Sequence, residues 1–229
     1  MVKKEYYSVF EFIDEVDVVV NTINTKGYMG KGLAYEFARW FPEMEEKYIN
    51  ECKQGKIKPG DLWAWETKEG NKKIVVANIA TKDDYKLPSK IEYVEKGLEN
   101  LYKFMLENNF KTAALPPLGA GLGGLNFREV EEMVFKKFEN FDGEIIFAVD
   151  KKVGPKEEEA LERLKESVEK LKESSFYPQE LEKIRPFLLK VNEGFKFRRF
   201  RDLKTLKGIG SKKYEKLLNY FWKKYIFSN

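Results

Sequence analysis

The chain has 229 residues, a formal net charge of +4, 42% hydrophobic and 15% aromatic residues, enough for one large domain or a medium domain plus a small one. Its single cysteine, Cys52, and its lack of histidine exclude an intrachain disulfide, a multi-cysteine zinc site and histidine acid–base chemistry. No metal or cofactor is therefore expected, and catalysis would run on Lys, Asp, Glu, Asn, Tyr or backbone groups. No apolar stretch approaches the roughly 20 residues that span a bilayer, and Met1-Val2-Lys3-Lys4-Glu5 leads into no signal-peptide core, so a cytoplasmic protein with no membrane partner is expected.

In chain order, apolar runs of strand length fall at 17–21, 61–65, 73–79, 112–116 and 144–149. Segments with helical spacing lie between them at 31–41, 43–54, 90–107 and 128–138. Strands alternating with helices predict an α/β sheet covered on both faces. Runs 17–21 and 112–116 are continuously apolar, the pattern of central strands. The loops leaving their C-terminal ends should lie together, where open α/β sheets place ligands. Residues 155–173 read as a charged amphipathic helix with Leu161, Leu164, Val168 and Leu171 on one stripe, and Ser174-Ser175-Phe176-Tyr177-Pro178 breaks it. The expected division is a domain over 1–152, a connecting helix over 153–174 and a small, mainly helical basic domain over 175–229.

Both of those loops are rich in glycine. The first reads Asn21-Thr22-Ile23-Asn24-Thr25-Lys26-Gly27-Tyr28-Met29-Gly30-Lys31-Gly32 and opens a helix, presenting side-chain amides and free backbone N–H groups at one spot. That combination suits a sugar joined to a phosphate. The second reads Pro116-Pro117-Leu118-Gly119-Ala120-Gly121-Leu122-Gly123-Gly124-Leu125, where close backbone approach lets successive N–H groups face a diphosphate.

These two loops, with Phe37, Phe41-Pro42, Pro59-Gly60 and Thr81-Lys82, resemble a macrodomain, the ADP-ribose-binding module. Within it they are most similar to the DNA ADP-ribosyl glycohydrolase (DarG-type antitoxin) group over about residues 15–145. The resemblance implies a three-layer α/β/α mixed sheet and hydrolysis of ADP-ribose from a DNA base, thymidine above all, with guanine also open. It further implies that Asn24 holds the distal ribose and that Lys82 acts at the anomeric carbon as nucleophile or base. Asn21, Thr22, Gly30, Lys31, Gly32, Thr81, Pro117, Leu118, Gly119, Ala120, Gly121, Leu122 and Gly123 would bind ADP-ribose. Read without the resemblance, Lys82-Asp83-Asp84 is an ordinary charged turn. Relatives acting on glutamate carry an Asp in the second loop, whereas Gly123-Gly124 stands here, which favours a nucleobase linkage over an ester. The Gly-Asp pair that many macrodomains use near adenine is replaced by Tyr7-Ser8-Val9-Phe10-Glu11, leaving Phe10 or Phe12 as candidates to stack on that base.

The tail is distinct. Residues 186–229 carry twelve Lys and Arg against three acids, so a basic tail follows a mildly acidic body, which suits either a polyanionic partner or a solvated surface. The run Leu203-Lys204-Thr205-Leu206-Lys207-Gly208-Ile209-Gly210-Ser211-Lys212-Lys213-Tyr214-Glu215-Lys216-Leu217-Leu218 resembles a helix-hairpin-helix, with Lys207, Gly208, Gly210, Lys212 and Lys213 facing a DNA phosphate. A hairpin that touches no DNA stays open, as do a non-catalytic reader of ADP-ribose and a tail that grips a cognate ADP-ribosyltransferase toxin. Phe195-Lys196-Phe197-Arg198-Arg199-Phe200-Arg201 either stacks exposed bases of single-stranded DNA or buries its aromatics.

Overall fold

A computed structural model describes residues 1–173, 182, 185–191 and 198–227, which fall into two compact units, Met1–Lys152 and Val153–Asn229. The break at 174–178 and residues 195–197 lie outside the described residues.

The first unit is a six-stranded sheet in the order β1-β6-β5-β2-β4-β3. Its strands are β1 (Val2–Glu5), β2 (Val18–Asn24), β3 (Leu62–Glu69), β4 (Lys72–Lys82), β5 (Thr112–Leu115) and β6 (Glu144–Ala148). Only the β3–β4 pair is antiparallel. The helices are α1 (Gly32–Trp40), α2 (Pro42–Lys53), α3 (Ile91–Glu107) and α4 (Phe127–Lys137). Strand residues alternate between two covered faces, as central strands of a parallel sheet require. Val18, Val20, Val75, Ala77, Ile79, Ala113 and Leu115 pack with Val94, Leu98 and Leu101 of α3 and Val130 and Val134 of α4. Aromatic residues fill the opposite layer: Phe10 stacks on Trp40 at 4.8 Å, and Phe41 meets Trp65 at 5.3 Å. The mixed three-layer α/β arrangement read from the sequence is present.

Strand β1 had no counterpart in the sequence reading. Val2-Lys3-Lys4-Glu5 holds one apolar residue because it is an edge strand, where lysines block further pairing. It aligns in parallel with Ile145–Ala148, and Lys4 pairs with Glu131 at 2.5 Å. Phe10 is a core residue rather than a free face for a base, since it is 3% exposed against Phe37 and Trp40.

Asp17, just ahead of β2, ties that strand to β5. One carboxylate oxygen accepts from the Lys111 and Thr112 amides at 2.8 and 2.9 Å and from the Thr112 hydroxyl at 3.0 Å. Burial pushes this carboxyl up, but the three donors outweigh burial and hold it below the usual carboxylate range. With the folded pKa below the unfolded value of about 3.9, its stabilisation is complete at neutral pH and is lost as pH falls through the folded value. Urea midpoints measured between pH 6 and pH 3 will therefore fall more steeply for the wild type than for Asp17→Asn, which starts lower and has no such carboxylate to protonate.

The second unit comprises α5 (Pro155–Glu173), α6 (Arg185–Val191), a 3-10 segment Phe200–Thr205, α7 (Ser211–Leu218), a π-turn Asn219–Lys223 and α8 (Lys224–Ile226). Leu161, Leu164 and Val168 of α5 are buried, as are Phe200, Leu203, Tyr214, Leu217 and Leu218. Phe200 packs on Tyr214 and Trp222, so it offers no face for base stacking. Among the described residues, no helix is long and apolar enough to cross a membrane.

Glu157, 1% exposed, organises this unit. Its carboxylate takes a bidentate pair from Arg199, at 3.0 and 2.8 Å, and the Phe200 amide at 2.7 Å. Removing one partner strands a buried charge and a buried N–H, at a cost of about 3–5 kcal/mol. Glu157→Ala will therefore abolish hydrogen-exchange protection in α5 and α7 while β2 and β4 keep theirs, read by mass spectrometry.

Candidate functional site

Strand β2 lies between β5 and β4, parallel to both, so three loops leave the same edge of the sheet. They are the glycine loop after β2, the Asp83 to Lys90 loop after β4, and the glycine loop after β5. Pairing between β2 and β4 runs Ile23 opposite Ala80 and then Asn24 opposite Lys82, so Thr81 is an extra residue. Such a bulge re-aims the side chain that follows it. It brings Asn24 and Lys82, 58 residues apart in sequence, side by side.

The Asn24 amide shapes the first loop. Its oxygen accepts from the Lys26 and Tyr28 amides at 2.9 and 3.4 Å, and its nitrogen donates to the Tyr28 carbonyl at 2.6 Å. The Asn24 carbonyl accepts from the buried Tyr48 hydroxyl at 2.6 Å, and burial pushes the Tyr48 phenol up, which keeps it a donor. Thr25 and Lys26 fasten this loop to the next. The Thr25 amide and hydroxyl meet the Asp83 carbonyl at 3.2 and 2.7 Å, and Lys26 pairs with the Asp83 carboxylate at 3.2 Å. Hydrogen bonds from Thr25 and then Lys26 hold the Asp83 carboxyl below its usual range.

The second glycine loop closes over Lys82 and Ser89. The Lys82 ammonium donates to the Leu122 carbonyl at 2.9 Å, and the Ser89 amide donates to the Gly123 carbonyl at 2.9 Å. A side chain at Gly123 would collide with the Gly119 carbonyl oxygen and the Ser89 hydroxyl, so glycine is needed there for space. Leu122, 70% exposed, leans across to the first loop, where a Cβ on Gly32 (φ +60°) would lie 2.9 Å from its Cδ1.

Donors are left open on both sides of Lys82. Helix α1 begins with no side-chain cap and no acid in its first turn, unlike α4, whose Asn126 oxygen accepts from the Arg128 and Glu129 amides. Among the described residues, no backbone acceptor faces the amides of Gly119, Gly121, Leu122 and Gly123. An uncapped helix start beside a run of free amides carries partial positive charge at a point suited to an anion.

Of the residues singled out in the sequence, Asn24, Gly30, Lys31, Gly32, Lys82 and 119–123 meet at this edge. Asn21 does not reach it. It is fully buried in β2, where its amide donates to Asn78 at 2.9 Å and accepts from the Thr22 amide. Leu118 is fully buried in the core, so its side chain packs rather than faces a ligand. Thr81, 2% exposed, hydrogen-bonds Ser89 at 3.4 Å beneath the loops, and Thr22, Pro117 and Ala120 are half-buried. Ser89 and Asp83, which hold the loops in place, carried no motif by which the sequence could reveal them.

In the second unit, Lys207, Gly208, Gly210 and Lys212 are exposed around the turn before α7, and Lys213 reaches the Gly208 carbonyl at 2.8 Å. The arm ahead of this turn is a 3-10 helix of 6 residues.

A family profile described as Macro domain matches residues 20–134. A DNA ADP-ribosyl glycohydrolase of Thermus aquaticus is 36% identical over 141 residues, which cover 62% of this chain and 39% of that relative, so the chain matches well under half the relative's length. The macrodomain of Thermus aquaticus DarG superposes with a TM-score of 0.60 at 34% identity, over 65% of this chain and 97% of the other. The macrodomain of Mycobacterium tuberculosis DarG superposes with a TM-score of 0.61 at 31% identity, over the same shares. With the profile spanning half of its length and its glycine loops built around one sheet edge, the chain belongs to the macrodomain family.

Proposed function

We propose that this chain is an ADP-ribosyl hydrolase that removes ADP-ribose from a nucleobase of single-stranded DNA, thymidine in the first instance. The observation that carries the reading is the pairing of Lys82 with Asn24 across the β4 bulge, between two loops whose backbone donors suit a diphosphate. The names of the relatives point the same way, as DNA ADP-ribosyl glycohydrolase and DarG macrodomain. In this reading the amides of 30–32, 119 and 121–123 hold the diphosphate and proximal ribose. Asn24 orients the distal ribose, and Lys82 faces its anomeric carbon.

Hydrolysis forms a bond from the anomeric carbon to the oxygen of water and breaks the bond to the base nitrogen, which leaves with a proton. An ammonium has three donors, and one goes to Leu122. Deprotonated, the amine either takes a proton from the attacking water, or itself bonds to the anomeric carbon as the base leaves with the amine's proton, giving an imine of the opened sugar that water then hydrolyses to free ADP-ribose and lysine. Borohydride distinguishes the two, because it traps a protein–sugar adduct only when carbon and nitrogen bond.

Gly123-Gly124 in the second loop favours a base linkage over a glutamate ester, since no carboxylate stands there to assist ester cleavage. The second unit is assigned to holding the strand. Lys207, Lys212 and Lys213 with the amides at Gly208 and Gly210 would contact phosphate in the manner of a helix-hairpin-helix, giving salt-sensitive binding without sequence preference. Copurification with an ADP-ribosyltransferase instead of DNA would assign this unit to a toxin.

The test offers the intact protein single-stranded DNA modified on thymidine, the same strand modified on guanosine, and a peptide modified on glutamate. Release from the thymidine strand is expected to be fastest and release from the peptide absent. Release from the peptide alone would contradict the assignment.

A further inference from the structure

Two aromatic rings stand exposed in the loops that follow β2 and β4. Tyr28, in the first loop, is 48% exposed, and Tyr85, three residues beyond Lys82, is 43% exposed. Their ring centroids lie 4.5 Å apart at 43°. Tyr28 is not a mobile side chain on an open loop. Its amide and carbonyl are both held by the Asn24 side chain, and its ring covers Gly30, where any Cβ would strike it. Tyr85 is placed from the other side by the loop that Asp83 anchors to Thr25 and Lys26. An aromatic pair kept in water by a rigid frame is ready to be covered by a flat apolar partner.

The surrounding charge narrows the chemistry. Lys26, Lys31, Lys86 and Lys90 are exposed in or next to the two loops that carry the rings; the Lys86 ammonium lies 5.5 Å from the Tyr85 ring centroid, and Lys26 pairs with Asp83. Of the acids in this loop, Asp83 is engaged by Thr25 and Lys26, and Asp84 accepts from the Lys86 amide at 2.9 Å. A stacking surface with an ammonium beside it and further lysines along the same two loops matches a base flanked by phosphates.

We infer that Tyr28 and Tyr85 form a stacking platform for a nucleobase of the strand that carries the ADP-ribosyl group. This rests on the reading of the Lys82 site as acting on DNA, and it adds a residue-level account of how the strand is held at the first unit. It predicts that the site distinguishes a nucleic acid from free ADP-ribose through contacts outside the ADP-ribose site.

The intact protein is irradiated with a single-stranded oligonucleotide containing 5-iododeoxyuridine, and the crosslinked peptides are mapped. Crosslinks at Tyr28 or Tyr85 are expected. Crosslinks confined to other residues overturn the platform whether or not the protein turns over any substrate, so this result is independent of the hydrolase reading. In steady-state kinetics on the thymidine-modified strand, Tyr85→Ala raises KM about tenfold, the size of one lost base–aromatic stack, and leaves kcat within about twofold. Tyr85→Phe keeps the wild-type KM, and neither variant changes the affinity for free ADP-ribose. An unchanged KM in Tyr85→Ala, or an equal loss of affinity for free ADP-ribose, overturns the proposal.

Discussion

Lys82→Ala is expected to lower kcat for release of ADP-ribose by about a thousandfold while affinity for free ADP-ribose stays within about twofold, measured by product release and by titration calorimetry. The size follows from removing a group that moves a proton or attacks carbon, which contributes about 10²- to 10⁴-fold. The fold should not suffer. Lys82 is half-buried at the end of β4 and spends one donor on the Leu122 carbonyl, which water can replace in the variant. Lys82→Arg separates charge from chemistry, since a guanidinium keeps the positive charge but does not lose its proton near neutrality. It should be as inactive as Ala. Turnover retained by Lys82→Ala would remove the lysine mechanism.

Gly123→Val should lower affinity for ADP-ribose more than tenfold and destabilise the first unit by about 1–3 kcal/mol, the usual cost of overpacking. The new Cβ meets the Gly119 carbonyl and the Ser89 hydroxyl, and a backbone carbonyl cannot turn aside as a flexible side-chain tip can. The loop would have to lift, moving the amides of 121–123 away from the place proposed for the diphosphate, which on that proposal weakens several charge-assisted hydrogen bonds together. Gly121→Ala is the control. Its Cβ would meet no protein atom within 4 Å and its φ is not in the left-handed region, so its melting temperature should stay near wild type. Equal losses in the two variants would mean that the loop tolerates no side chain at all, and the Ser89 contact would lose its significance.

Much of the fold was legible because the pattern was local. Continuous apolar runs marked β2 and β5 as central strands, and glycine-rich turns at their ends marked the edge where the candidate site lies, since both signals lie within a dozen residues. Strand β1 escaped because an edge strand with one covered face needs few apolar residues. Asn21 and Asn24 look alike in sequence, yet strand alternation turns Asn21 into the sheet toward Asn78 while Asn24 stands at the edge. Lys82 reads as a charged turn on its own residues. Its place opposite Asn24 depends on a bulge at Thr81 that no periodicity announces. The Tyr28–Tyr85 pair and the Ser89 anchor are likewise tertiary facts, made by loops that meet only after the sheet has formed.

The most direct test is multiple-turnover release of ADP-ribose from a single-stranded oligonucleotide carrying ADP-ribosylated thymidine, with both products identified by mass. Many molecules of free ADP-ribose per protein chain are expected, with the strand returned bearing unmodified thymine. Tight binding of the modified strand with no product, on thymidine or guanosine, would contradict the hydrolase reading and identify the protein as a reader of ADP-ribose.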